Sequence, residues 1–318
     1  MIALTQCWLT RFRTALVLVL CLTAVLAADC LAAEPVVVVL GAQTKAQYRQ
    51  FVEGFKQYLS EQEPTVKFVD ISLDKDTQNT DGLRDVVQQN NVAMILTLGS
   101  KALRSAVQQD VDRPVIAGLL LDHSELEKNG SASGVVLDYG AETQLSWIHR
   151  ILPEARTVGV LYNPDKSGHR IAAAKKAAGK LRLKLVAREV NSPKELPVAM
   201  DALFRSVDVL WGMTDPVVLS RQTAKAVLLT SFRSQIPFVA PSSVWVKAGA
   251  LYSLDWDYRD VGAQSGEMAL SVLRGRKLSA MPVQAPRKVR YSLNTRTAEH
   301  MNLKLPGKIV DGADQVFE

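Results

Sequence analysis

Polar residues that could bind a small polar molecule recur in short turns, each directly after an apolar run. The stretch TLGSKAL (97–103) places Gly99, Ser100 and Lys101 at the predicted start of a helix. Free backbone N–H groups and a serine hydroxyl at such a position can bind an anion, for example a carboxylate. Ser100 could equally be an ordinary N-cap.

Further turns have the same character. YNPDKS contains Asn163, and GMTDPV contains Thr214 and Asp215, followed by Pro216 at the first turn of a predicted helix. Asp215 could face a cationic group or simply cap that helix, and plain turn chemistry accounts for Asn163 equally well. The other candidate ligand-binding residues in these turns are Gln43, Ser242, Asp257 and Tyr258.

Motifs of enzyme chemistry are missing from the sequence. It has no G-x-S-x-G, P-loop, G-x-G-x-x-G or H-E-x-x-H pattern, and its four histidines are far apart, so we expect no catalysis, cofactor or metal site. Asp255 and Asp257 alternate along a strand end, which predicts side chains on opposite sides rather than a catalytic pair. RKVR (287–290) is predicted to lie in a strand with a solvated face.

Strands and helices alternate along the chain from Glu34, which predicts a parallel sheet with helices on both faces. The run PVVVVLG (35–41) is apolar throughout, as a strand buried on both faces must be. The helix that follows (46–62) carries its apolar residues, Tyr48 among them, on one face. The next predicted strands cover 65–73, 92–99 and 113–120.

The same series then repeats. TVGVLYN (157–163) corresponds to VVVVLGA (36–42), VDVLWGMTD (207–215) to VAMILTLGS (92–100), and IPFVAPSSVW (236–245) to RPVIAGLLLD (113–122). A period this long is not that of a solenoid and indicates two similar α/β lobes. A chain of 318 residues, 47% of them hydrophobic, can form two such cores.

The first 33 residues predict an export signal. Arg11 and Arg13 precede the apolar run at 15–28, and small residues follow it. This order is typical of a secretory signal peptide, and the apolar run is short for a membrane span. We expect cleavage after Ala32 or Ala33 and a periplasmic mature protein.

Two alternatives for this segment remain, an uncleaved anchor helix and a lipoprotein attached at Cys30, the second opposed by the neighbouring Asp29. Cys7, Cys21 and Cys30 are the only cysteines and all lie here, so the expected mature chain forms no disulfide and has no thiol nucleophile. Its formal charge falls from +6 to +5 and is spread along the chain. Without an arginine-rich run, we expect no nucleic-acid partner.

The sequence resembles the substrate-binding proteins of ABC transporters of the tryptophan/tyrosine-binding type. The resemblance extends from about residue 35 to the C-terminus and is carried by VGVLYNPDKS, VDVLWGMTDPVV, IPFVAPSSVWVKAGAL, DYRDVGAQSGEMALSVLRGRK, LNTRTAEHMNLKLP and GADQVFE. It implies an α/β clamshell of the type I periplasmic-binding-protein class, with two Rossmann-like lobes of parallel sheet joined by three crossings. The expected lobes are 34–138 plus 258–282 and 139–257 plus 283–318.

The resemblance also implies a function. A small solute, such as an amino acid, would be held between the lobes and passed to an ABC permease in the inner membrane. Its carboxylate would meet Gly99, Ser100 and Lys101, its ammonium would face Asp215, and Asn163, Thr214, Asp257 and Tyr258 would complete the pocket. LGAQTKAQ and AGLLLDHSELEKNGSAS depart from the family pattern, so the side-chain pocket is expected to differ. A periplasmic sensor that signals to a membrane receptor is the alternative, and an enzyme on the same fold is a third possibility.

Overall fold

The computed structural model describes residues 34–42, 45–73, 81–110, 112–127 and 132–318. The predicted signal segment and Gln43 lie outside the described residues. Within them, the chain forms two sheets, each flanked by helices on both faces. In the described part of the chain, no helix combines the length and apolar character that a membrane span requires.

Lobe 1 contains a parallel sheet in the order β2-β1-β3-β4-β5. One face packs on the first and last helices of the lobe, and the other face packs on the three helices between them. Its elements are β1 (Val36–Leu40), α1 (Ala46–Gln62), β2 (Lys67–Ile71), α2 (Asp81–Gln89), β3 (Val92–Leu98), α3 (Ser100–Gln108), β4 (Val115–Leu120), α4 (Ser124–Glu127), β5 (Ala132–Val136) and, much later in the chain, a helix at Tyr258–Leu273.

Lobe 2 repeats that strand order and extends it by two strands at one edge. The sheet runs β12-β11-β10-β9-β8-β6-β7, and only the β10–β11 pair is antiparallel. Its elements are α5 (Ala141–Ile151), β6 (Thr157–Tyr162), α6 (Pro164–Lys180), β7 (Lys184–Glu189), α7 (Leu196–Phe204), β8 (Val209–Trp211), α8 (Ala224–Arg233), β9 (Phe238–Ala240), α9 (Ser243–Lys247), β10 (Tyr252–Trp256), β11 (Val289–Asn294), α11 (Thr295–His300), α12 (Gly307–Asp311) and β12 (Gln315–Phe317), and the Tyr258–Leu273 helix of lobe 1 is α10.

Three crossings join the lobes. The chain leaves β5 for α5 near residues 137–140, returns from β10 to α10 near 256–258, and passes to β11 near 285–288. Gln284 still belongs to lobe 1, because it bridges to Val135 on β5 and its backbone N–H donates to the carbonyl of Gly134. The third crossing therefore lies a few residues beyond the expected boundary at Val283.

The side chain of Tyr139 ties the three crossings together. Its hydroxyl, on the first crossing, lies 3.0 Å from the carbonyl oxygen of Asp255 on the second and 2.7 Å from that of Lys288 on the third. Its ring stacks on Trp256 at a centroid distance of 6.3 Å. Burial, followed by the nearby Asp255, raises the pKa of Tyr139, so the hydroxyl remains protonated and can donate.

The third crossing is also held by a buried carboxylate. Asp260, 8% exposed in α10, receives two hydrogen bonds from Arg287, at 3.0 and 3.1 Å, and an ion pair from Lys288. Burial alone would raise the pKa of Asp260, but the hydrogen bonds from these two cations outweigh it and lower the pKa. The prediction of a solvated strand face for RKVR was therefore wrong at these two residues, which precede β11 and bind α10.

Two helix boundaries differ from the sequence prediction. Helix α6, for which GHRIAAAKKAAGKLRL (168–183) predicts a start at Gly168, begins at Pro164, because the Asn163 side chain accepts a hydrogen bond from Lys166 N–H and caps it. The residues from Pro216 onward form turns rather than a helix, and α8 begins only at Ala224.

Helices α1 and α10 pack so closely that a side chain is excluded at their contact. A Cβ atom at Gly262 would lie 2.0 Å from the carbonyl oxygen of Phe51, and one at Gly54 would lie 2.0 Å from that of Arg259. Both obstructing atoms are backbone atoms and cannot rotate away. This contact anchors α10, and with it the second and third crossings, to lobe 1.

We expect Gly262→Ala to lower the free energy of unfolding by about 1–3 kcal/mol, because the two helices must separate to accommodate the methyl group. The measurement is urea unfolding followed by circular dichroism. Gly179→Ala is the matched control, since Gly179 lies in α6 with no atom within 4 Å of an added Cβ. Equal midpoints for the two variants would show that the close contact is not required.

Candidate functional site

The carboxyl ends of both sheets face each other across a cleft. Crossings one and two leave the carboxyl ends of β5 and β10, and β11 starts beside the end of β10. Counted from the crossings, the strand orders are β5-β4-β3-β1-β2 and β10-β9-β8-β6-β7. The two lobes thus repeat one strand order, in which β4 corresponds to β9. Ligands of such sheets bind beyond the strand ends, where the order reverses.

In lobe 1, the turn after β3 has the shape expected of a binding turn but already holds a carboxylate. Gly99 has φ = +82°, a conformation that favours glycine, and an added Cβ would lie 3.2 Å from the Tyr48 hydroxyl oxygen. The Ser100 hydroxyl donates to Glu125 Oε1 at 2.6 Å. Arg104 lies 3.4 Å from the other Glu125 oxygen. A ligand carboxylate at Ser100 would have to displace Glu125.

A row of aromatic side chains runs along lobe 1 from the crossings to this turn. We call Tyr139, Trp256, Tyr258 and Tyr48 the aromatic row. Trp256 lies between Tyr139 and Tyr258, with centroid distances of 6.3 Å to each. Burial, then Asp255 and Tyr48, raise the pKa of Tyr258, which keeps its phenol neutral. Tyr139 is buried, whereas the other three rings are partly exposed.

In lobe 2, the turns after β6 and β8 are bonded to each other. Asp215 is 1% exposed, and its Oδ2 accepts from Asn163 N–H at 2.7 Å. Its Oδ1 accepts from the N–H groups of Val217 and Val218 at 2.8 and 3.0 Å. The Asn163 amide donates to the carbonyl of Val190 at 3.0 Å. Both side chains are thus used inside lobe 2, and Asp215 binds the N–H groups of a turn at the place where the sequence predicted a helix start.

The remaining candidates lie at the cleft edges. Lys101 and Thr214 are exposed, and Ser242 is half-buried at the N-cap of α9 without a side-chain capping bond. Asp257 caps α10 by accepting from Asp260 N–H at 3.0 Å, on a different side from Asp255, which accepts from Ser292 at 2.8 Å. The structure therefore does not make Asp255 and Asp257 a carboxylate pair.

Charged side chains of both lobes meet beside the first crossing. Arg170, from α6, lies 3.3 Å from Asp138 of lobe 1, and its other terminal nitrogen lies 3.4 Å from the carbonyl of Thr214. Burial raises the pKa of Asp138, and Arg170 opposes this. After the N–H of Ser124, both His169 and Arg170 contribute to lowering the pKa of Asp122.

Each cleft edge also exposes a large apolar side chain. Leu121 follows β4 and is 66% exposed, and Val244 follows β9 and is 75% exposed. No group of three or more potential metal-binding histidine, cysteine or acidic side chains occurs within the described residues. The side chains described around the cleft are aromatic, apolar and charged.

Several of these residues escaped the sequence analysis. Tyr48 shared an apolar helix face and was assigned to the core. Trp256 lies in the stretch LDWDYRDVG beside Asp257 and Tyr258 but was given no role, and Tyr139 stood in no motif. Glu125 lies in the segment AGLLLDHSELEKNGSAS, which departs from the family pattern. That departure was the feature of the sequence that could have drawn attention to Glu125. Arg170 lies six residues into α6, where spacing along the chain does not indicate that it approaches Asp138.

We expect Asp215→Asn to lower the free energy of unfolding by about 1–3 kcal/mol, because an amide N–H₂ would replace an oxygen that accepts a backbone N–H. Urea unfolding midpoints measure this. Asp208→Asn is the matched control, since Asp208 accepts both of its backbone N–H bonds through Oδ2 alone and an asparagine oxygen can replace it. If Asp215→Asn instead leaves stability unchanged and weakens ligand binding, Asp215 contacts the ligand.

Comparisons with known proteins agree with this architecture. The family described as ABC transporter substrate binding protein matches residues 36–317. A tyrosine-binding protein of Clostridioides difficile (strain R20291) is 24% identical over 220 residues, which cover 66% of this chain and 63% of that protein. The matched region thus spans less than two thirds of that relative.

Solved structures show the same fold at low sequence identity. The ligand-free, open structure of a substrate-binding protein with adhesive properties from Clostridium difficile superposes with a TM-score of 0.73 at 20% identity, over 89% of this chain and 99% of that one. An ABC domain from Streptococcus pneumonia in complex with L-Trp gives 0.56 at 20% identity, over 90% and 100%. The expected two-lobed clamshell is confirmed, and the chain belongs to the family of ABC transporter substrate-binding proteins.

Proposed function

We propose that this protein captures an amino acid with an aromatic side chain between its two lobes and delivers it to an ABC permease. The observation that carries the proposal is the aromatic row, whose three partly exposed rings lie on the cleft side of lobe 1 and end at the turn after β3. Aromatic surfaces bind planar rings by offset or edge-to-face contacts. A half-exposed aromatic row in a cleft is therefore a surface suited to such a ligand.

The names of two relatives point to the same ligand class. One is a tyrosine-binding protein, and the other was solved with L-Trp. They support the proposal because the rings of Tyr48, Trp256 and Tyr258 provide, in this chain, the surface that such ligands require.

Capture requires that the ligand contact both lobes and bind their closed arrangement better than their open one. The crossings are the segments available for a hinge, because all three lie on one side of the cleft. Turns of both lobes would then enclose the ligand, and a ligand carboxylate at the turn after β3 would take the place of Glu125 at Ser100.

Export and a permease partner complete the proposal. The order of positive, apolar and small residues at the N-terminus supports secretion to the periplasm, where a substrate-binding protein meets its permease. Closure would change the relative positions of the surfaces of the two lobes. A permease could use this change to distinguish the ligand-bound protein from the ligand-free one.

We expect saturating L-tryptophan or L-tyrosine to reduce the radius of gyration, because the lobes close around the ligand. Small-angle X-ray scattering with and without each amino acid measures the change, and calorimetric titration establishes saturation. L-aspartate serves as the control amino acid. Binding at an unchanged radius would place the ligand in one rigid lobe and refute capture by closure.

We expect Tyr258→Leu to weaken binding of the same amino acid about twofold to tenfold, because losing one aromatic contact costs about 0.5–1.5 kcal/mol. Tyr58→Leu is the matched control, since Tyr58 is a partly buried ring of the same core near the far end of α1. Calorimetric titration compares the variants. Equal affinities of the Tyr258→Leu and Tyr58→Leu variants would show that the aromatic row does not contact the ligand.

A further inference from the structure

The Glu125 side chain shows how lobe 1 holds a carboxylate at the turn after β3. One of its oxygens, Oε1, accepts a hydrogen bond from the Ser100 hydroxyl at 2.6 Å, and Oε2 lies 3.4 Å from a terminal nitrogen of Arg104. Ser100 and Arg104 are one helical turn apart on α3 and therefore share a face of that helix. We call Ser100 and Arg104 the carboxylate clamp, because they bind the two oxygens of one carboxylate.

The carboxylate clamp is open to exchange. The side chain of Glu125 is 26% exposed and that of Arg104 is 61% exposed, so a carboxylate from solution can reach the same partners. Ion pairs with this much exposure contribute little to the stability of a fold. Glu125 itself comes from α4, a helix of only four residues. Replacing Glu125 in the carboxylate clamp by another carboxylate therefore costs little folding free energy.

The aromatic row ends beside the carboxylate clamp. Gly99 directly precedes Ser100, and a Cβ atom added at Gly99 would lie 3.2 Å from the Tyr48 hydroxyl oxygen. The partly exposed Tyr48 thus brings the outer end of the aromatic row next to the start of α3. An aromatic amino acid carries a planar ring and a carboxylate a short distance apart. The aromatic row and the carboxylate clamp match these two parts of one molecule.

From these contacts we propose that Glu125 is a built-in competitor of the ligand. It occupies the carboxylate clamp when no ligand is bound, and the ligand's carboxylate displaces it and then binds Ser100 and Arg104. The proposal rests on the proposed function, in that it assigns the residues that recognise the polar end of the ligand. It also specifies the ligand class, because a hydroxyl donor and a guanidinium bind a carboxylate and disfavour an ammonium group.

A built-in competitor sets the affinity of the site. A ligand binds only to the fraction of molecules in which the carboxylate clamp is vacant, so its apparent affinity is reduced by that fraction. Weakening the hold of Glu125 on the carboxylate clamp should therefore make the protein bind its ligand more tightly. A residue that contacted the ligand favourably would have the opposite effect when altered.

The first experiment measures the affinity of Glu125→Gln for L-tryptophan and L-tyrosine by calorimetric titration. We expect about threefold to tenfold tighter binding, because a neutral amide holds the carboxylate clamp less strongly than a carboxylate does. Glu61→Gln is the matched control, since Glu61 is exposed in the last turn of α1 and accepts from Gln57 through an oxygen that glutamine retains. Its affinity should equal that of the unaltered protein. Unchanged or weaker binding by Glu125→Gln overturns the proposal.

The second experiment identifies the group that competes with Glu125. Indole-3-propionate has the ring and carboxylate of tryptophan without the ammonium, and tryptamine has the ring and ammonium without the carboxylate. Glu125→Gln should tighten the binding of L-tryptophan and indole-3-propionate by the same factor and give tryptamine no gain. An equal gain for all three compounds would indicate a general loosening of α4 and contradict the proposal. Weaker binding of tryptamine would show that Glu125 pairs with the ammonium, which also contradicts it.

The third experiment tests Arg104 where Glu125 no longer competes as a charge. Adding Arg104→Gln to Glu125→Gln should weaken binding of L-tryptophan and indole-3-propionate about twofold to fivefold, because a partly exposed cation is lost beside the carboxylate. Equal affinities of the double and single variants would show that Arg104 does not bind the ligand's carboxylate and that the carboxylate clamp is wrong.

The titrations separate the possible failures. If L-tryptophan or L-tyrosine binds the unaltered protein and Glu125→Gln binds it no more tightly, the proposed function stands and Glu125 is not a competitor. If the unaltered protein binds neither amino acid but Glu125→Gln binds indole-3-propionate, Glu125 is a competitor and the proposed function fails. If neither protein binds any of these carboxylates, both proposals are wrong.

Discussion

The arrangement of both lobes depends on how three crossings are held at one side of the cleft. A single buried hydroxyl, that of Tyr139, reaches carbonyl groups of the other two crossings, and Asp260 binds the third through Arg287 and Lys288. Buried polar groups are stable only when paired, so these contacts fix where the chain passes between lobes. A hinge confined to this side lets the opposite side of the cleft open and close.

The turns at the cleft contain two kinds of side chain, those that are buried and hydrogen-bonded and those that keep exposed surface. Asn163 and Asp215 looked like ligand contacts, yet both are buried and bonded to backbone groups, which joins the turns of lobe 2 into a rigid edge. By contrast, Tyr48, Tyr258 and Val244 retain exposed surface beside the cleft. A polar edge whose groups are already hydrogen-bonded loses little conformational freedom when a ligand binds beside it. Binding then costs little conformational entropy.

The duplicated architecture gives the two lobes different tasks despite their common strand order. In lobe 1, the turn after β3 uses a glycine with positive φ and a serine bonded to Glu125. In lobe 2, the corresponding turn uses the buried carboxylate of Asp215. The same position at the end of a strand thus holds a carboxylate in both lobes, but that of Glu125 comes from α4, whereas that of Asp215 belongs to the turn itself.

The sequence by itself determined the α/β class, the two lobes and most strands and helices, because continuous apolar runs and helical apolar spacing are local properties of the chain. It also placed the candidate turns at strand ends, where Gly99, Ser100 and Tyr258 do lie. Only the tertiary structure decided the role of Asp215, since its three hydrogen bonds come from two different turns. The same holds for Tyr139, Glu125 and Arg170, whose partners are distant in sequence and become neighbours only when the sheets and crossings assemble.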